Sequence, residues 1–157
     1  MRTARAWLAA AALLALGAVA VALVSQHAFG IEPCAWCVLQ RLVYLAIVVA
    51  ALIGIVLPGR VGRRSGAALT AMLALAGIAA ALWQHFVAAR SASCNLTLAD
   101  RIVGGLGLDT ALPEVFTAYA SCADAAVDLA GVPYDYWSLA GFAIVGLVAL
   151  RVLAQPR

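Results

Sequence analysis

Glu32-Pro33-Cys34-Ala35-Trp36-Cys37-Val38-Leu39-Gln40-Arg41 runs without interruption into the apolar stretch Leu42 to Leu57. A Cys-x-x-Cys pair thus stands where one long apolar run has ended and another begins. Arg41 follows Cys37 by four residues, one helical turn further on. From Val38 to Leu57 the chain is long enough to cross a bilayer as a helix, which takes about 20 residues, and Arg41 is its one charged residue. Two thiols this close can close a disulfide in a tight turn, and such pairs commonly have altered thiol acidity.

Working outward, the composition agrees with that reading. Of 157 residues, 66% are hydrophobic and 11% charged. A soluble domain of this length cannot bury so much apolar surface, because its core is limited by surface-to-volume scaling. The expected fold is an all-α membrane protein: a four-helix transmembrane bundle forming a single domain over residues 1–157. Its spans are expected at 7–24, 38–57, 67–87 and 137–154. Outer loops are expected at 25–37 and 88–136, and a turn-rich basic loop, Pro58 to Gly66, between the second and third spans.

Charge placement orients the bundle. There is no lysine; all ten basic side chains are arginines. Arg2 and Arg5 precede the first span, Arg60, Arg63 and Arg64 lie between the second and third, and Arg151 and Arg157 end the chain. The seven acidic residues all fall on the opposite side. The positive-inside rule puts both termini and the Arg60–Arg64 loop in the cytoplasm, and Cys34, Cys37, Cys94 and Cys122 on the outer face. Topology accounts for these arginines, so they do not argue for nucleic-acid binding.

Trp7 to Val24 could be a cleaved signal peptide, with Arg2 and Arg5 as its basic region and Ala18-Val19-Ala20 as its cleavage site. The run continues past Ala20, however, it is longer than a typical signal core, and cleavage would leave three spans. Trp83, near the outer end of the third span, fits an aromatic belt. In the long second outer loop, Gly104-Gly105-Leu106-Gly107 breaks regular structure, and Pro113-Glu114-Val115-Phe116 reads as a helix start. Short amphipathic helices on the membrane surface suit this segment. Gly131-Val132-Pro133 marks another turn, and Arg151 must snorkel at the end of the last span.

Four cysteines facing one compartment allow three pairings. Sequence proximity favours Cys34 with Cys37, which leaves Cys94 with Cys122. Two structural disulfides would satisfy this pattern. A four-cysteine zinc site is disfavoured, since the second pair lacks zinc-ribbon spacing, and the two histidines form no ligand set. A Cys-x-x-Cys beside a membrane surface and an arginine points towards redox chemistry.

Gln26-His27, Pro33-Cys34-x-x-Cys37 and Arg41 resemble the first outer loop and second-helix start of the DsbB family, bacterial membrane proteins that reoxidise the disulfide donor DsbA. Gln84-His85 followed by Cys94 continues the match. So do Pro113, Val115 and Phe116 before Cys122, then Cys122-Ala123-Asp124, Asp128, Gly131 and Trp137-Ser138. The resemblance covers nearly the whole chain. Three positions depart from it: Ala35 and Trp36 between the cysteines, and Asp135, where relatives often carry proline.

The resemblance implies a disulfide oxidase of the bacterial inner membrane, with a DsbA-type periplasmic partner and a membrane quinone (ubiquinone or menaquinone) as acceptor. Cys94 would take the mixed disulfide, Cys122 would attack Cys34, and Cys37 would be freed as a thiolate facing the quinone. Arg41 could stabilise that thiolate and bind a quinone carbonyl with its fork of donors; an arginine that only anchors the helix end is the simpler reading. Gln40, Gln84, His27 and His85 are further quinone-site candidates, although interfacial histidines are more often caps or belt residues. DsbA-type proteins are strong oxidants, so their reoxidation needs an acceptor of still higher potential, and a lipid-soluble quinone is within reach only of a protein in the bilayer. With little soluble mass, the bundle is expected to work as a monomer. Two other readings exist. In vitamin K epoxide reductase-like proteins the active Cys-x-x-Cys comes late, whereas here it comes first. The other is a non-catalytic scaffold with two structural disulfides.

Overall fold

The computed structural model describes residues 2–90 and 97–155. Three long helices come first: α1 (Arg2–Phe29), α2 (Ala35–Val56) and α3 (Gly59–Phe86). A 3-10 turn at Ala88–Arg90 leads to the short helices α4 (Leu98–Gly105), α5 (Leu108–Ala111) and α6 (Pro113–Phe116). Strands β1 (Asp128–Leu129) and β2 (Val132–Pro133) form a two-residue antiparallel hairpin, and α7 (Tyr134–Leu153) ends the fold. The helices α1, α2, α3 and α7 are each long and apolar enough to cross a membrane. Leu13, Met72, Leu75 and Leu147 are each 60% or more exposed on the bundle surface. Only a lipid environment makes such a surface inexpensive, so the chain is a multi-pass helical membrane protein.

The four long helices form a ring in which α1 packs on α2, α2 on α3, α3 on α7, and α7 back on α1. Small residues allow the close approach, as is usual where lipid gives no hydrophobic drive between helices. A Cβ on Gly66 would collide with the Gly54 backbone across the α2–α3 interface, and one on Gly77 would collide with the Phe142 ring. Tyr44 and Phe142 stack at the centre, with ring centroids 3.9 Å apart and planes 6° from parallel. The Tyr44 hydroxyl donates to the Ser138 carbonyl at 2.9 Å, tying α2 to α7.

The helices outrun the apolar runs that announce them. Hydropathy marks only the lipid-facing part of a helix, whereas the helix continues until its backbone groups find other partners. At the end of α1, Gly30 adopts φ +67°, which glycine tolerates best. Its N–H donates to the Gln26 carbonyl, and that of Ile31 to the Ser25 carbonyl. The stretch Pro58 to Gly66, expected as a turn-rich loop, is largely the start of α3. Only Leu57 and Pro58 separate α2 from α3. Gly62 and Gly66 lie against Leu57 and Gly54, so these glycines serve helix packing rather than turns.

Above the bundle, the segment from α4 to the hairpin folds over the start of α2. Thr97 and Asp100 form a reciprocal capping box that starts α4. Ala99 and Val103 of α4, with Phe116, Cys122 and Ala125, pack against Cys34, Trp36 and Val38 in one buried cluster. The opposite edge of α4 exposes Leu98 and Ile102.

Candidate active site

Cys34 is the N-cap of α2, in extended conformation, and its carbonyl accepts the first helical hydrogen bond from Val38. Cys37, three residues on, therefore lies on the same face, and the two sulfurs are 3.1 Å apart. Just before them, the Pro33 carbonyl accepts from the N–H groups of Tyr119 and Ala120. That junction pins the segment approaching Cys122 and brings its thiol within hydrogen-bonding reach of Cys34. Cys34, Cys37 and Cys122 carry free thiols, and Cys34, wholly buried, sits between the other two.

The hydrogen bonds separate the chemistry of the loop thiol from that of the capping thiol. The bond from Cys34 lowers the Cys122 thiol below its ordinary range, outweighing burial, and the Trp36 backbone adds to the effect. The Cys34 thiol is pushed far up, first by its hydrogen bond with Cys122, then by that with Cys37, then by burial. The row thus holds its proton on the central sulfur and favours negative charge at Cys122.

Cys37 opens into a cavity of about 970 Å³ between α1, α2 and α7. Its polar end is formed by Cys37, Gln40, Arg41 and Gln84; its long apolar wall by Leu13, Leu14, Gly17, Ala18 and Val21 of α1. Arg41 is 4% exposed, so it is no snorkelling surface residue. Its Nη1 donates to Gln26 Oε1 at 2.7 Å and to the Val115 carbonyl at 3.0 Å; its Nη2 reaches the Ala22 carbonyl at 3.5 Å. Among the described residues its Nε, also buried, has no hydrogen-bond partner. On the other side of the sulfur row, Cys122 borders a second groove of about 990 Å³, walled by Trp36, Leu39, Trp83, Leu98 and Tyr119. The three sulfurs therefore link two openings on different faces of α2.

Of the residues singled out from the sequence, the structure brings together Cys34, Cys37, Cys122, Arg41 and Gln40. Cys94, and with it the pairing Cys94–Cys122, lies outside the described residues. His27 is half-exposed beside Glu114, 3.8 Å away, and does not line the cavity. His85 does not line it either; it is bound to Asp135 and Tyr136. Gln84, also a candidate from the sequence, joins Gln40 and Arg41 in the cavity lining; Gln26 and Asp135 complete the surroundings and were not among the expected site residues. Gln84 immediately precedes His85 but points into the bundle, a difference of one helical position that apolar patterning around it could have revealed.

A membrane bundle with three thiols in a row, the last facing a cavity between its long helices, defines a membrane thiol–disulfide protein. Residues 4–152 match the family model described as Disulfide bond formation protein DsbB. A disulfide bond formation protein B of Dechloromonas aromatica is 35% identical, covering 98% of this chain and 93% of its own. That of Aromatoleum aromaticum is 34% identical over 90% of this chain and 87% of its own, and that of Herminiimonas arsenicoxydans 32% over 100% and 99%. The chain belongs to the DsbB family.

Proposed function

We propose that this protein is a protein-dithiol:quinone oxidoreductase of the bacterial inner membrane. It reoxidises a DsbA-type periplasmic dithiol protein, its cysteine end faces the periplasm, and both termini lie in the cytoplasm. The observation that carries this reading is the sulfur row from Cys122 through Cys34 to Cys37, ending on an elongated cavity beside a buried arginine.

In this reading the partner's thiolate attacks Cys94 of a Cys94–Cys122 disulfide, and Cys122 leaves as a thiolate. Cys122 then attacks the Cys34 sulfur of a Cys34–Cys37 disulfide; the new bond is Cys122–Cys34, and Cys37 departs with the electron pair. The buried position of Cys34 between the two other thiols favours this exchange. The partner's second thiol then displaces Cys94 from the mixed disulfide, and Cys94 attacks Cys122, which restores Cys94–Cys122 and frees Cys34; as Cys34–Cys37 re-forms, two electrons and two protons leave through the cavity, so that, net, two partner thiols become one disulfide.

A quinone, when bound, supplies a two-electron, two-proton acceptor. The residues present fit one. The cavity's volume is in the range of small-molecule sites, its apolar α1 wall suits an isoprenoid tail, and the Arg41 guanidinium at its polar end suits a carbonyl oxygen. Arg41 and Gln40 would hold the head group. The test is a coupled assay: protein, reduced DsbA and a soluble quinone, with quinone absorbance and DsbA thiol state followed together. Quinol formation in step with DsbA oxidation, abolished in Cys37→Ser, is expected. Folded protein that changes neither species would overturn the reading.

A further inference from the structure

Gln84 Nε2 donates to Cys37 Sγ at 3.2 Å, and Gln84 Oε1 accepts from Gln40 Nε2 at 2.7 Å. Both amides are buried, at 5% and 4% exposure, one on α3 and one on α2. An amide has a donor end and an acceptor end of nearly the same shape, so an isolated glutamine could turn either towards a sulfur. Here the bond from Gln40 occupies the Gln84 carbonyl and leaves its NH2 group for the sulfur. Arg41 directs its hydrogen bonds to Gln26, Val115 and Ala22. Its charge is near Cys37, but the donors in contact with the sulfur are the Cys34 thiol and the Gln84 amide, and only Gln84 keeps its proton once Cys34 is held in a disulfide.

We infer that Gln84 is the hydrogen-bond donor that holds Cys37 as a thiolate when the electron pair reaches it, and that Gln40 is the residue that positions the Gln84 amide. Hydrogen bonds to an ionised acceptor are roughly twice as strong as neutral ones. In a wall of low polarity such a bond is stronger still, and a missing one costs more. Gln40, expected to contact the acceptor, thereby acts on the thiol through its neighbour. The inference rests on reading Cys37 as the thiol that faces the acceptor, but its test requires no acceptor.

The full chain in detergent micelles, reduced, is treated with iodoacetamide across a pH series, and the alkylation rate of Cys37 is read by peptide mass spectrometry. Among the described residues, the charged and titratable groups around Cys37 are Cys34, Arg41, Cys122, Tyr134 and the cavity residues Glu32, Tyr44 and Asp135, and every variant retains them. Gln84→Met is expected to move the Cys37 profile to the alkaline side and to slow alkylation at neutral pH about tenfold, the size of one hydrogen bond to a charged group. Gln40→Met shifts it the same way by less. Gln84→Glu, which exchanges the donor for an acceptor, slows the reaction at least as much as Gln84→Met. A melting curve in the same micelles checks the fold.

A wild-type profile in folded Gln84→Met or in folded Gln84→Glu overturns the role of Gln84; one in Gln40→Met overturns the positioning role. If Gln84→Met does not fold, Gln84→Glu and Gln40→Met carry the test. Failure of the functional reading is separate: there the wild type leaves quinone unreduced in the coupled assay, whatever the alkylation profiles.

Discussion

His85 Nδ1 lies 2.7 Å from Asp135 Oδ2, joining the last turn of α3 to the first turn of α7. With that nitrogen donating to the carboxylate, Nε2 is the acceptor, and the Tyr136 hydroxyl donates to it at 3.2 Å. Asp135 also lines the cavity, whereas His85 does not. The histidine therefore acts on the cavity through the carboxylate, by fixing the start of α7. His85→Ala is expected to raise KM for a soluble quinone about fivefold, equivalent to ~1 kcal/mol of coupling between packed neighbours, with kcat little changed. Asp135→Ala should match it, and the double variant should be no worse than either alone. Additive effects in the double variant would mean that the two side chains act separately.

Helix packing gives a prediction independent of the chemistry. A Cβ on Gly66 would overlap the Gly54 backbone, whereas one on Gly17 meets nothing within 4 Å. Gly66→Ala is expected to destabilise the bundle by about 1–3 kcal/mol, the usual cost of overpacking. Gly17→Ala should be neutral or slightly stabilising, since alanine is the better helix former. Melting temperatures in one detergent decide this; equal values for the two variants would show that α2 and α3 do not meet at Gly54 and Gly66.

Much of this architecture was legible because lipid imposes one simple pattern. Runs of about 20 apolar residues must be helices with internally satisfied backbones, so four spans followed from hydropathy. The Cys-x-x-Cys at a helix start and Arg41 one turn below were legible from spacing alone. Pro58 to Gly66 misled because glycine signals a turn and a close helix contact equally well, and only tertiary packing tells which applies. His27 and His85 were drawn towards the cavity by residue type, yet Glu114 and Asp135 are their neighbours, at separations along the chain that no local pattern encodes. The Gln40–Gln84 bond joins residues on two helices for the same reason.

Arg41 tests whether the guanidinium holds structure, ligand or both. Arg41→Met leaves Gln26 Oε1 and the Val115 carbonyl without that donor, and each buried group so abandoned costs about 1–3 kcal/mol. A clear drop in melting temperature is expected. Arg41→Lys keeps the charge but not the planar fork of donors. It should melt above Arg41→Met, yet raise KM for quinone about tenfold, the worth of one charge-assisted hydrogen bond. An unchanged KM in a folded Arg41→Lys variant would reduce Arg41 to a tie between α1, α2 and the outer segment.

The sulfur row carries a pH signature with a defined sign. The folded protein lowers the Cys122 thiol, chiefly through the hydrogen bond from Cys34. Ionised Cys122 is thus favoured by folding, and its contribution to stability is present above the ordinary thiol range of about 8.5 and lost as pH falls through its lower folded value. Cys34 is raised, so its contribution runs the other way: present below the ordinary range and lost as pH rises. In the reduced protein, Cys122 should therefore alkylate at a lower pH than a free thiol, while Cys34 stays unreactive. Cys34→Ala removes the chief donor, and the Cys122 profile should move back towards that of an ordinary thiol; Cys34→Ser, which restores an O–H donor, should recover part of the shift. A Cys122 profile indifferent to both substitutions would mean that the two thiols do not share a proton, and the exchange step between them would need another route.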